Sequence, residues 1–97
     1  MKKYEIKYDT SVSEGLNEIN TYLHNRIENI EKDFRMIENC EVELHSEKGH
    51  AKNCEVAVRL TVPRHKYFAR DKEETFHKAA KVAFDELYEQ LNGLKFG

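Results

Sequence analysis

From residue 54 to residue 62 the chain alternates without a break. Cys54, Val56, Val58, Leu60 and Val62 fall on one side of an extended backbone, and Glu55, Ala57, Arg59 and Thr61 on the other. Successive side chains of a strand point to opposite faces, so this run predicts a strand with one face buried and one wet. Pro63 follows; it has no N–H to donate to a ladder, so the strand ends there. Such a strand needs neighbours for its backbone and an apolar layer against its face. The rest of the chain has to supply both.

Three further segments read as strands. Tyr4, Ile6 and Tyr8 alternate with Lys3, Glu5 and Lys7, and Cys40, Val42 and Leu44 alternate with Glu41, Glu43 and His45. Residues Ser46 to Asn53, with Lys48-Gly49 near the middle, read as the hairpin loop between the second and third strands, and Lys66 to Arg70 as a short fourth strand. The covering layer comes from two helical stripes. Leu16, Ile19, Leu23, Ile27, Ile30 and Phe34 are spaced 3, 4, 4, 3 and 4, one face of an amphipathic helix. Ser11 or Ser13 is its expected N-cap, and Ser11 with Glu14 has the spacing of a capping box. Phe76, Ala80, Ala83, Phe84, Leu87 and Leu91 line a second helix, with Thr75 as N-cap and Asn92-Gly93 as its expected end.

The order is therefore β-α-β-β-β-α. The expected architecture is an α+β two-layer sandwich, a four-stranded sheet with two helices packed on one face and the other face open to water. A chain of 97 residues with four glycines and one proline has material for one core and little for linkers, so residues 1–97 are read as a single domain. No apolar run approaches the roughly 20 residues of a membrane span, and the start, Met1-Lys2-Lys3-Tyr4-Glu5, has no signal-peptide apolar region; a cytoplasmic protein is expected.

Little in the sequence points to a reaction centre. Cys40, His45, His50 and Cys54 are good zinc ligands, but their spacing fits no common structural zinc pattern. Strand phase also sets Cys40 and His45 on opposite faces, while Cys54 shares the buried row. The expectation is two buried cysteines, two exposed histidines and no metal. A Cys40–Cys54 disulfide is not expected either, because the hairpin register pairs Cys40 with a residue beyond Cys54. The histidines are scattered and there is no Gly-x-Ser-x-Gly or glycine-rich phosphate loop, so no enzyme, cofactor or small-molecule substrate is expected.

Charge distribution says more. The 16 Lys and Arg against 18 Asp and Glu give a net charge of -2, which excludes a uniformly basic nucleic-acid binder but not a local basic face. Between Arg59 and Lys72 lie Arg59, Arg64, His65, Lys66, Arg70 and Lys72 against the single acid Asp71, and Lys78 and Lys81 follow on the second helix. The first helix is acidic by contrast. Arg59, Lys3 and Lys7 are expected on the open sheet face. Of Tyr67 and Phe68, on opposite faces of the fourth strand, one is expected to be exposed and able to stack on a base. A basic surface on a net-negative protein points to a polyanionic partner.

Taken together, the β-α-β-β-β-α order, the helix run His24 to Lys32, Val62-Pro63 closing the third strand and the helix run Thr75 to Leu91 resemble the short ribosome hibernation-promoting factors, the family of ribosome-associated inhibitor A. The resemblance spans essentially the whole chain. It implies a non-enzymatic translation inhibitor that binds small-subunit rRNA in the mRNA and tRNA channel and idles ribosomes in stress or stationary phase. Its partners would be the small ribosomal subunit and its rRNA, with no DNA and no membrane. Arg26 and Lys32 match basic positions of the family's first helix, and Arg59 one on the third strand. With the basic run they give an expected RNA-binding set of Arg26, Lys32, Arg59, Arg64, Lys66, Arg70, Lys78 and Lys81. Asn29, Glu86 and Glu89 depart from the family, standing where basic residues are common, and the basic tail shrinks to Lys95. The alternatives are a double-stranded RNA-binding domain acting off the ribosome, and a protein-interaction module using the acidic helix or a sheet edge.

Overall fold

The computed structural model describes residues 3–9, 16–47, 49 and 51–96. The expected caps at Ser11 or Ser13 with Glu14 lie outside these residues, as do Lys48, His50 and the side chains of Lys3, Leu16 and Lys95. The element order is β1 (Lys3–Tyr8), α1 (Leu16–Asp33), β2 (Asn39–Ser46), β3 (Cys54–Val62), β4 (His65–Glu73) and α2 (Phe76–Phe96). It is an α+β fold with one mixed sheet in the order β1-β2-β3-β4. β1 and β2 run parallel, Tyr8 beside Leu44, with α1 as the crossover that a parallel pair requires. β2–β3 and β3–β4 are antiparallel hairpins.

The alternation decides what is buried. Cys40, Val42 and Leu44 of β2 and Val56, Val58, Leu60 and Val62 of β3 turn towards the helices, all at most 4% exposed. Ile19, Leu23, Ile27, Ile30 and Phe34 come down from α1, and Ala79, Ala80, Ala83, Phe84, Leu87 and Leu91 from α2, into the same cluster. Fully burying a leucine or phenylalanine stabilises a fold by roughly 1.5–3 kcal/mol, so these two rows anchor the helices. Among the described residues the core holds no buried polar side chain. α2 lies over β3 and β4. On the other side, the hydroxyl of Tyr8 in β1 donates to Asn20 Oδ1 of α1 at 2.7 Å.

Several boundaries differ from expectation. β4 is longer than Lys66 to Arg70, because all nine of its residues pair with β3, from Val62–His65 to Cys54–Glu73. α2 begins as expected, with the Lys78 N–H donating to Thr75 Oγ1 at 3.1 Å, but it does not end at Asn92-Gly93. Gly93 stays helical and the helix continues to Phe96; Gly49 is the only described glycine with positive φ. A glycine stops a helix only when it turns left-handed; inside one it costs about 1 kcal/mol relative to alanine and the helix carries on. Cys54 is the third correction. It has the phase of the buried row but sits where β3 begins, at the open end of the sheet, and is half-buried.

Candidate nucleic-acid interface

The register sorts the outward residues of the sheet into cross-strand rows: Lys7–Glu43–Ala57–Arg70, Glu5–Glu41–Arg59–Phe68, Asn39–Thr61–Lys66 and His45–Glu55–Lys72. Acids occupy the middle of the face, on β2 and β3, and cations line the β4 edge. Ion pairs tie the two zones together: Arg59 to Glu41 at 3.8 Å, Arg70 to Glu55 at 3.7 Å, and Lys72 to Glu47 at 2.9 Å. The bond to Glu47 holds the Lys72 ammonium above its ordinary range. Phe68 is the exposed aromatic that strand phase predicts, 45% accessible, whereas Tyr67 is half-buried against the core. The guanidinium of Arg59 lies 5.4 Å from the Phe68 ring centroid.

At the β3–β4 turn, Pro63 and Arg64 are the two residues between the paired Val62 and His65. Arg64 has φ of 70°, a left-handed backbone that costs a non-glycine residue about 1–2 kcal/mol. Beside it a groove of about 480 Å³ is lined by Glu38, Thr61, Pro63, Arg64, His65 and Lys66. Among the described residues Arg64 and Lys66 form no ion pair or side-chain hydrogen bond that holds their charge.

The remaining expected contacts lie on the other side of the molecule, on the helices. Arg26 is largely buried there. Its Nη2 donates to Asp85 Oδ1 at 2.8 Å and its Nη1 to the Tyr22 hydroxyl at 3.3 Å. Burial, the largest single effect, works against its charge, but the Asp85 and Tyr22 hydrogen bonds and charges together outweigh it and the net shift is upward. Lys81 donates to the same Asp85 at 3.2 Å, and Lys78 lies 3.8 Å from Glu74. Lys32 borders a shallow groove of about 440 Å³ between α1 and α2, with Arg26, Asn29, Asp85 and Tyr88. Tyr88 donates to Asp33 at 3.0 Å, and burial with that bond raises its pKa to about 12.

The eight residues thus divide into Arg59, Lys66 and Arg70 on the open sheet face, Arg64 at the turn, and Arg26, Lys32, Lys78 and Lys81 on the helices. Sequence reasoning missed the Phe68–Arg59 pairing, although strand phase had already put Arg59 on the outward face. It also missed the acids Glu41, Glu43 and Glu55 in the middle of that face, which the same alternation gives. The cysteine and histidine cluster does not assemble among the described residues. Cys40 is fully buried, with its thiol raised to about 12 chiefly by desolvation, and pairs with Leu60 across the hairpin. His45 faces out and meets Asp9 at 2.6 Å.

The sequence profile of the sigma 54 modulation protein / S30EA ribosomal protein family matches residues 9–95. The chain belongs to that family. No curated protein matches the sequence. Among solved structures, a ribosomal subunit interface protein from Coxiella burnetii superposes with a TM-score of 0.78 at 18% identity, over 98% of this chain and 99% of that one. The N-terminal domain of Protein Y from Thermus thermophilus gives a TM-score of 0.78 at 15% identity, over 97% and 99%. At these identities the likeness is one of fold. No helix among the described residues is long and apolar enough to cross a membrane.

Proposed function

We propose that this protein is a ribosome-associated translation inhibitor. In this reading it binds small-subunit rRNA in the channel that takes mRNA and the anticodon ends of tRNA, and silences ribosomes in stress or stationary phase. The observation that carries the reading is the family match over residues 9–95. The name of the Coxiella burnetii relative, a ribosomal subunit interface protein, points the same way. The charge layout supports it. A domain seated in a channel meets a wall on more than one side, and cations stand both on the sheet edge and on the helices. Inhibition then needs no chemistry: the bound domain occupies space that tRNA requires.

Co-sedimentation with isolated small subunits tests the proposal. Stoichiometric binding is expected at about 50 mM salt and steep weakening by about 200 mM, because binding led by phosphate contacts releases counterions. The double variant Arg64→Glu with Lys66→Glu, at two exposed positions, is expected to bind more weakly at both concentrations. Absence of binding at the lower salt would overturn the reading, and unchanged binding of the double variant would remove Arg64 and Lys66 from the contact set.

A further inference from the structure

On β4 the outward row is Lys66, Phe68 and Arg70, with Arg64 leading into it from the turn. We propose that this row is a track for an unpaired RNA strand, in which the Phe68 ring is the platform for one base and Arg64 and Lys66 hold the neighbouring phosphates. The assignment of the strand to ribosomal RNA rests on the reading above; the track itself rests on the geometry of the sheet.

Four observations carry it. Phe68 leaves 45% of its surface in water with Arg59 already against the ring, on a face whose described residues are polar apart from Ala57. Its strand is fixed, paired with β3 on one side, while the Phe68 carbonyl accepts from Gln90 Nε2 of α2 at 3.3 Å. A stacking platform works best when it does not have to be ordered on binding. Next, Arg64 and Lys66 are the cations of this edge whose charges no acid among the described residues takes up, and Arg64 is held in a backbone conformation that favours glycine. Arginine at such a position keeps a charge at the turn despite the strain. Finally, the acids set the direction. A polyanion crossing the sheet from β4 would run onto Glu41, Glu43 and Glu55, whereas one lying along β4 meets a cation or the ring at steps of about 6.6–6.8 Å. Aromatic platforms flanked by cations are how unpaired nucleotides are bound without sequence readout. An acidic peptide would satisfy the cations but leave the ring unused.

The test is the anisotropy of labelled octauridine with the full chain, beside an octamer of the same sugar-phosphate backbone without bases and a polyglutamate peptide as competitor. Octauridine is expected to bind more tightly than the abasic octamer. Phe68→Ala should lose about 5- to 150-fold for octauridine, the range found for losing one stacked base, and nothing for the abasic octamer. Phe68→Leu keeps apolar bulk without the ring, guards against loss of fold, and should behave like Phe68→Ala. Arg64→Ala and Lys66→Ala should each lower the salt slope by about 0.7. Equal affinity for the two octamers, no effect of Phe68→Leu, or competition by polyglutamate as strong as by octauridine would overturn the track. Small-subunit binding that survives such a result would leave the ribosomal reading standing. Phe68-dependent octauridine binding without small-subunit binding would keep the track and remove the ribosome.

Discussion

The Arg26 guanidinium carbon lies 6.0, 5.4 and 5.8 Å from the ring centroids of Tyr22, Phe84 and Tyr88, while its Nη2 reaches Asp85. One side chain from α1 therefore stitches to α2 through an ion pair and a set of aromatic faces. Cation–π contacts are worth about 0.5–1 kcal/mol where exposed and more where desolvated, and the arginine stem adds packing. Arg26→Ala is expected to destabilise the fold by about 1–3 kcal/mol in urea unfolding. Its pH dependence has a definite sign. The Arg26 hydrogen bond, with help from Lys81, holds Asp85 below the ordinary carboxylate range. A carboxylate depressed in the folded state stabilises above its unfolded pKa of about 4 and loses that contribution as pH falls through its folded value. The gap between wild type and Arg26→Ala should thus be widest near neutral pH and narrow below about pH 4; a gap that widens in acid would contradict the pairing. Arg26 illustrates what a basic residue in a sequence conceals. Its partner Asp85 is 59 positions away, and nothing local marks the charge as already engaged, whereas Arg64 and Lys66 have no such partner among the described residues.

Among the elements, α2 separates most clearly what local signals give from what they do not. Its start followed from Thr75, whose hydroxyl accepts the N–H three residues on. Its end did not follow from Asn92-Gly93, because that pair terminates a helix only if the glycine adopts positive φ. Gly93 does not, and a Cβ added there meets nothing within 4 Å. Gly93→Ala should therefore stabilise the protein by about 0.5–1 kcal/mol in thermal or urea unfolding; destabilisation would mean that the helix does stop at that glycine. The strands β1 to β3 and both helical rows were legible because burial on one face imposes a period, and Cys40 to Leu44, Cys54 to Val62 and Ile19 to Phe34 all carry it. The far end of β4 was not. Asp71, Lys72 and Glu73 lie on an edge strand, where backbone pairing with β3 extends beyond the apolar row and leaves no hydrophobic trace. Of the candidate interface, the basic run was legible. Its division between sheet and helices was legible too, but which of these cations are already paired was not, because a partner such as Asp85 for Arg26 is set by tertiary packing.

As a whole, the molecule carries a net charge of -2 yet presents cations on two sides of a body about 42 Å long and 22 × 19 Å across. Charges more than about 8–10 Å apart are largely screened at physiological salt, so under the proposed reading the acidic outer face of α1 would oppose a polyanion only weakly and the local cations would decide where one settles. The frame shared with the solved structures at 15–18% identity is a likeness of shape alone. Occupancy is the claim that links shape to inhibition, and a competition on small subunits tests it most directly. Labelled protein is bound to small subunits, and mRNA with deacylated tRNA is titrated in. If the domain fills the decoding channel, its apparent Kd rises in proportion to tRNA concentration and bound tRNA displaces it fully. Simultaneous binding of protein and tRNA to the same subunits would contradict that account.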